Sequence, residues 1–93
     1  MREEIKRKHL TFYGDVQGVG FRYRARHAAG LAGATGWVRN EFDGSVTMEV
    51  QGTENQIDQV VALVAEGRYV QIDRMEVKTI PLEENETGFR SRR

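Results

Sequence analysis

The apolar residues of this chain change their spacing several times, and the order of those changes limits the folds that it can adopt. Near the start, Leu10 and Phe12 alternate with Thr11 and Tyr13, which is a period of two residues. A strict alternation of this kind is typical of a half-buried strand. The pattern therefore predicts a strand over about residues 7–15.

Two segments have helical spacing instead. In the first, the apolar positions that share one stripe are Phe21, Ala25, Ala28, Ala29 and Ala32. The second is "TENQIDQVVALVAEG", where Thr53 and Gln56 are spaced to form a capping box, in which each side chain satisfies an otherwise unpaired backbone N–H. Gly67 suits the C-terminal stop of this helix. The chain therefore has two predicted helices.

Further strands follow each predicted helix. "TGWVRNEF" and "SVTMEVQ" flank Asp43-Gly44, a dipeptide that favours a hairpin. Residues 70–80 alternate again, with a slip in phase that predicts a bulge near Asp73-Arg74. "GFRSR" is a candidate for a short final edge strand.

The element order β-α-β-β-α-β predicts an α+β, ferredoxin-like fold, with two helices packed on one face of an antiparallel sheet. The chain has 93 residues, a length that favours one domain. We expect a single domain over residues 1–93, with a flexible N-terminal extension over about residues 1–7.

Charge and cysteine content exclude several classes of function. The chain has 14 Lys and Arg residues and 14 Asp and Glu residues, a net charge of zero that argues against nucleic-acid binding. The absence of cysteine excludes disulfides, thiolate nucleophiles and zinc-thiolate sites, and suits a reducing compartment. No segment has the apolar length of a signal peptide or a membrane span. We expect a cytoplasmic protein whose basic ends, including Arg2, Arg7, Arg90, Arg92 and Arg93, are solvated.

The segment "GDVQGVGFRYRAR" joins the first strand to the first helix through a glycine-rich loop. Gly18 and Gly20 allow positive φ angles, so that successive N–H groups can turn to one side and form a concave nest for an anion. The N-terminus of the following helix adds partial positive charge. Arg22 can donate two parallel hydrogen bonds to a phosphate or carboxylate. The residues alone leave two interpretations open, a cradle for a small tetrahedral anion and a tight turn that binds nothing.

Other candidate residues are less informative by themselves. Asn40 lies near a predicted turn, and an exposed asparagine there is more often a turn former than a catalytic group. We expect Trp37 to pack near the sheet edge, and Arg39 to be a solvated strand residue or an ion-pair partner. His9 and His27 are the only imidazoles, and we expect structural or surface roles for both.

Taken together, "GDVQGVGFRYRAR" and "GWVRNEFDGSV" resemble the two signatures of the acylphosphatase family. The separation of 18 residues between Arg22 and Asn40 fits that family, and the resemblance spans about residues 8–90. It implies a hydrolase that cleaves the carboxyl–phosphate bond of small acyl phosphates without a metal or organic cofactor. Asn40 would position the attacking water. The phosphoryl group would be bound by Arg22 and by the backbone N–H groups of Gln17, Gly18, Val19, Gly20 and Phe21.

The resemblance leaves a second function open on the same scaffold, a non-catalytic regulatory module that binds phosphate or another anion without turning over a substrate. RNA binding by the sheet is a weaker alternative, because the aromatic signature of an RNA-recognition sheet is missing from the central strands. The expected partner is a small acyl phosphate, with no nucleic acid and no membrane. A monomer is the simplest expectation.

Overall fold

The computed structural model describes residues 3–93, and its strands form one sheet. The elements in chain order are β1 (Ile5–Asp15), α1 (Phe21–Ala32), β2 (Thr35–Asn40), β3 (Val46–Thr53), α2 (Glu54–Ala65), β4 (Gln71–Ile80) and β5 (Phe89–Arg92). The strands lie in the order β4-β1-β3-β2-β5, and the two helices pack on the sheet and on each other. This architecture confirms the predicted ferredoxin-like fold.

The fifth strand makes the sheet mixed rather than purely antiparallel. β1 pairs with β3 and β4, and β2 pairs with β3, all antiparallel. β5 pairs with β2 in parallel. β4 and β5 therefore lie at the two edges of the sheet and run in opposite directions, so that the loop 81–88 can join them at one end without a helix. Sequence periodicity could not assign this direction, because a parallel and an antiparallel edge strand have the same alternation.

The hydrophobic core lies between the sheet and the two helices. α1 contributes the predicted stripe, although Ala32 is only half-buried. The fully buried core residues are Leu10, Phe12, Val16, Phe21, Ala25, Ala28, Ala29, Ala34, Val38, Val46, Met48, Val50, Ile57, Val60 and Val64. The predicted capping box of α2 is confirmed, with the Thr53 hydroxyl accepting from the Gln56 N–H and the Gln56 side chain accepting from the Thr53 N–H.

A bulge between β1 and β4 directs the end of β1 towards the glycine loop. The register shifts after Tyr13, which leaves Asp73 of β4 without a partner residue, as the slip in phase predicted. Gly14 lies opposite this bulge with a φ of 132°. A Cβ atom at this position would lie 2.2 Å from the carbonyl oxygen of Gln71, so glycine is required here.

The start of β1 corrects two expectations. The strand begins at Ile5, so residues 5–7 belong to the sheet and not to a flexible extension. Arg7 is not solvated, because only 1% of its surface is exposed. Its side chain lies on the sheet face opposite the helices, which we call the open face (Arg7, His9, Trp37, Glu49 and Arg92). Met1 and Arg2, which the predicted extension and basic end also include, lie outside the described residues.

Arg7 stays charged in this buried position because carboxylates and an amide surround it. Its Nη1 and Nη2 donate to the two carboxylate oxygens of Glu86 at 2.8 and 3.2 Å. Nε donates to Glu49 at 3.1 Å, and Nη1 also donates to Gln51 at 3.2 Å. A buried guanidinium is tolerated when its donors are satisfied in this way. Arg7 therefore ties the loop 81–88 to the centre of the sheet.

The same contacts shift the acidity of both carboxyl groups. Burial alone would raise the pKa of Glu86, but the hydrogen bonds from Arg7 and Thr35 outweigh it and hold this pKa below its usual value. Burial also opposes ionisation of Glu49, and hydrogen bonds from His9 and Arg7 bring the pKa of Glu49 below its usual value. Both groups are therefore ionised at neutral pH and stabilise the fold as anions.

We expect Glu86→Gln to lower the free energy of unfolding by about 1.5–3 kcal/mol at pH 7, because a neutral amide cannot replace the charge-assisted pair with Arg7. The pKa of Glu86 is depressed in the folded state, so its contribution is complete above the ordinary value of 4.5. That contribution is lost as the pH falls through the folded value. The stability difference between wild type and variant should therefore shrink from about pH 5 towards pH 3.

Urea unfolding at pH 7, 5 and 3 would measure this difference. Glu84→Gln is the matched control, because Glu84 lies in the same loop and is exposed. It should change the free energy of unfolding by less than about 0.5 kcal/mol. A Glu86→Gln difference that stays constant across this pH range would show that the carboxylate form is not what stabilises the loop.

Candidate active site

The loop between β1 and α1 turns through two glycines with left-handed backbone. Gly18 has a φ of 72° and Gly20 a φ of 79°. A Cβ atom at either position would meet no atom of residues 3–93 within 4 Å, so the backbone conformation and not a lack of space favours glycine here. Gly20 is the N-cap of α1 and provides no side-chain cap for the N–H groups of the first turn. These groups and the positive end of the helix are therefore available to an anion.

Arg22 lies in the first turn of α1, beside this loop, and is half-buried. Its Nη1 donates a hydrogen bond to the main-chain carbonyl oxygen of Arg92 at 3.0 Å. One edge of the guanidinium is thus anchored by the last residue of β5, and the other donors remain for a ligand. The edge strand therefore helps to orient the predicted binding residue, a contact that the sequence did not indicate.

Asn40 is the last residue of β2 and pairs with Val46 at the base of the β2–β3 hairpin. It is half-buried, and none of the hydrogen bonds among residues 3–93 uses its side chain. Its carboxamide keeps both an acceptor and two donors for a water molecule or a ligand. Asn40 ends β2, as its predicted place near the end of a strand implied. It does not form the turn, which is built by Asp43 accepting from the Ser45 N–H and hydroxyl.

One surface cavity of about 210 Å³ gathers these groups. Its lining residues are Val16, Gly18, Gly20, Phe21, Arg22, Tyr23 and Asn40. The two predicted catalytic residues thus lie on the same cavity, together with three of the five loop residues assigned to phosphate binding. Gln17 and Val19 do not line it. Their predicted contribution is through backbone N–H groups, and it stays a prediction.

The pairing of β5 with β2 explains why Arg22 and Asn40 line the same cavity. In this parallel pair, Arg92 lies opposite Arg39, the residue that precedes Asn40. The carbonyl oxygen that anchors Arg22 is therefore on the strand next to Asn40. Two residues that are 18 positions apart in sequence thus line one cavity, beside a third segment near residue 92.

Gln17 holds the loop against the β2–β3 hairpin. Its Nε2 donates to the main-chain carbonyl oxygens of Glu41 at 2.7 Å and Ser45 at 2.9 Å. The side chain of Gln17 is therefore a clamp between the two segments of the site, and not a ligand. The sequence does not indicate this role of Gln17, since the hairpin that accepts these hydrogen bonds is more than 20 residues away.

Glu41 follows Asn40 and is the adjacent carboxylate in the chain. The Thr47 hydroxyl and the Arg39 guanidinium hold the pKa of Glu41 below its usual value, and Arg39 pairs with it at 2.9 Å. A carboxylate with a lowered pKa is a weak base. The ion pair of Arg39 is one of the two alternatives that the sequence left open for that residue.

Neither imidazole lines the cavity. His9 is on the open face, where its Nδ1 contacts Glu49 at 2.7 Å and its ring packs edge-on to Trp37. His27 is exposed on α1. Trp37 is half-buried between the guanidinium groups of Arg39 and Arg92, whose carbons lie 5.3 and 4.7 Å from its ring centre. These placements agree with the structural and surface roles expected for these residues.

Neither helix formed by residues 3–93 has the length and apolar character needed to cross a bilayer. Within the same range, no three histidine, aspartate or glutamate side chains are grouped so that they could hold a metal ion.

Comparison with known proteins gives consistent results. The sequence profile of the Acylphosphatase family matches residues 8–91. An acylphosphatase of Geobacillus kaustophilus (strain HTA426) is 39% identical over 87 residues, which cover 92% of this chain and 93% of the relative. The crystal structure of acylphosphatase from Bacillus subtilis is similar with a TM-score of 0.86 and 28% identity, over 97% of this chain and 100% of that one. An acylphosphatase from Coxiella burnetii has a TM-score of 0.84 and 30% identity, over 95% and 93%.

Proposed function

The chain belongs to the acylphosphatase family and hydrolyses acyl phosphates to a carboxylate and inorganic phosphate, and on that premise we propose how its own residues carry out the reaction. The phosphoryl group is held at the start of α1 by the backbone N–H groups of Gln17 through Phe21 and by Arg22. Asn40 positions the attacking water. The observation that supports this assignment is the single cavity lined by Gly18, Gly20, Arg22 and Asn40.

The phosphoryl oxygens carry the charge that this site is suited to stabilise. Phosphoryl transfer proceeds mainly through positioning and electrostatic stabilisation, since little covalent chemistry is required of the protein. The loop N–H groups and the guanidinium of Arg22 donate to the equatorial oxygens as charge redistributes. The anchor between Arg22 and the carbonyl oxygen of Arg92 holds the guanidinium in place before substrate binds, which reduces the ordering needed in the transition state.

The hydrolytic step needs only the substrate, one water molecule and these residues. The carboxamide oxygen of Asn40 accepts a hydrogen bond from the water and directs its oxygen at phosphorus. A new P–O bond forms to the water, while the bond between phosphorus and the acyl oxygen breaks. The acyl oxygen leaves as a carboxylate with the electron pair of that bond. The proton of the water moves to a phosphate oxygen, since an amide is a poor base and the carboxylate of Glu41 is held in its ion pair.

The non-catalytic alternative is not favoured by family membership. It predicts phosphate binding without turnover, so that the two functions differ in one measurable outcome. A folded protein that binds phosphate but leaves acetyl phosphate intact would favour the regulatory module.

A titration of ¹⁵N-labelled protein with inorganic phosphate tests where the anion binds. We expect the amide resonances of residues 17–21 and the Nε–H resonance of Arg22 to shift most, because these groups would donate directly to the anion. Sodium chloride at the same ionic strength is the control and should leave them within the range of other surface amides. Arg90 pairs with Trp37 and lies beside it on the open face. Shifts concentrated there instead would contradict the assignment of the site.

Oligomeric state and location complete the proposal. The site draws Arg22, Asn40 and the loop from one chain, which supports a monomer as the active unit. The absence of cysteine supports a reducing compartment, and a cytoplasmic location fits it.

A further inference from the structure

Tyr23 follows Arg22 in α1 and is largely exposed, with 74% of its surface accessible. It lines the cavity that holds the phosphate-binding residues. It also lines a second cavity of about 370 Å³ on the outer side of the helix, which we call the α1 groove (Tyr23, Arg26, His27, Gly30 and Leu31). The side chain of Tyr23 therefore borders both cavities.

The first three residues of α1 point in different directions. Successive residues of a helix are rotated by about 100°. Phe21 points into the core, and Tyr23, about 200° further around the helix, points away from the sheet. Arg22 lies between them. Asn40 belongs to the sheet and Tyr23 points away from it, so we expect the two side chains on different walls of the cavity that both line with Arg22.

In-line phosphoryl transfer requires the attacking and leaving oxygens to lie on opposite sides of phosphorus. If Asn40 directs the water from the sheet side, the acyl oxygen leaves on the side of Tyr23. The acyl group is attached to that oxygen and therefore extends along the outer face of α1. This inference rests on the proposed roles of Arg22 and Asn40.

The surface that the acyl group would meet combines aromatic and apolar side chains with the guanidinium of Arg26. Tyr23 and His27 present rings that are parallel to within 3°, with centres 6.3 Å apart. Leu31 is exposed one turn further along the helix. Glycine is disfavoured inside a helix, and in the part of the chain that the structure describes Gly30 has no close neighbour that requires it, so it leaves the α1 groove open. A flat acyl group can stack on these rings, while a methyl group is too small to cover them.

We propose that Tyr23 is a specificity-determining residue that selects acyl phosphates with an aromatic acyl group over those with a small aliphatic one. The ring of the acyl group lies against Tyr23 at the entrance of the α1 groove, and His27 extends this contact by one helical turn. The contact adds to substrate binding without touching the phosphoryl group.

Steady-state kinetics with benzoyl phosphate and acetyl phosphate test this inference. The measured quantity is the ratio of kcat/KM for the two substrates. Tyr23→Ala should lower the ratio of benzoyl to acetyl phosphate by about 3- to 10-fold, the range expected for loss of one aromatic contact. The change should come from a higher KM for benzoyl phosphate. Tyr23→Phe keeps the ring and should retain the wild-type ratio.

Tyr69→Ala is the matched control, because Tyr69 is exposed to a similar extent, 67%, and lies outside both cavities. It should leave the ratio unchanged. A Tyr23→Ala ratio equal to that of wild type, or an equal fall in Tyr69→Ala, would overturn the specificity role. An error in the proposed catalytic site would give a different result: Arg22→Ala would then turn over both substrates as fast as wild type.

Discussion

Arg22→Ala is expected to lower kcat/KM for acetyl phosphate by at least about 10²-fold, since it removes the guanidinium of Arg22 from the candidate cavity. A loss of this size corresponds to about 2.7 kcal/mol of transition-state stabilisation. Charge on the phosphoryl oxygens would no longer be met by two parallel N–H donors, and the loop N–H groups alone would remain. Inorganic phosphate should also inhibit the variant more weakly.

Two further variants, Arg22→Lys and Arg68→Ala, show whether the loss is specific to the guanidinium of Arg22. Arg22→Lys keeps the positive charge but lacks the planar fork, so it cannot contact the Arg92 carbonyl oxygen and two phosphoryl oxygens together. We expect its kcat/KM to lie between wild type and the alanine variant. Arg68→Ala, outside the cavity, should stay within about 2-fold of wild type. If folded Arg22→Ala kept more than about a tenth of wild-type kcat/KM, Arg22 would not be a catalytic residue.

Asn40→Ala should lower kcat by about 10²-fold or more, because the attacking water would lose the group that directs it. Binding of the phosphoryl group depends on Arg22 and the loop, so the inhibition constant for inorganic phosphate should change by less than about 3-fold. This split between turnover and binding distinguishes a residue that positions water from one that holds the anion.

Measurement of kcat and of phosphate inhibition in the same preparation would give both quantities. Asn55→Ala is the matched control, since Asn55 is an exposed asparagine on α2 whose side chain donates to Glu3, away from the cavity. It should leave both quantities within about 2-fold of wild type. Weaker phosphate inhibition in Asn40→Ala, in proportion to its loss of kcat, would instead make Asn40 part of the anion-binding site.

Much of the fold was predictable because the residues that form local sequence patterns are also the ones that pack or cap the elements in the folded structure. The change of period at Phe21 predicted the first residue of α1, and Thr53 with Gln56 marked the start of α2. The slip in phase near Asp73 corresponds to a real bulge, because the side chains of a strand must change face where one residue is left without a partner. Each of these signals lies within a few residues of the feature that it determines.

The errors concern Arg7 and the sheet edges, where distant segments decide the outcome. Arg7 is one of several basic residues near the start of the chain, and nothing in its neighbourhood indicates burial. Its partners Glu49 and Glu86 are 42 and 79 residues away. The direction of β5 depends likewise on the path of the loop 81–88 across the sheet. Such contacts have no period or motif in the sequence.

The candidate site likewise has features that are local in the sequence and features that depend on tertiary contacts. By themselves, the residues of the glycine loop and Arg22 determined that an anion could be bound at the start of the first helix, because positive φ angles, free N–H groups and a guanidinium are local properties. Only the tertiary structure brought Asn40 to the same cavity, anchored Arg22 on the Arg92 carbonyl oxygen and turned Tyr23 outwards beside them. Those relations depend on strand pairing and helix packing, which join residues far apart in the chain and leave no local pattern from which they could be deduced.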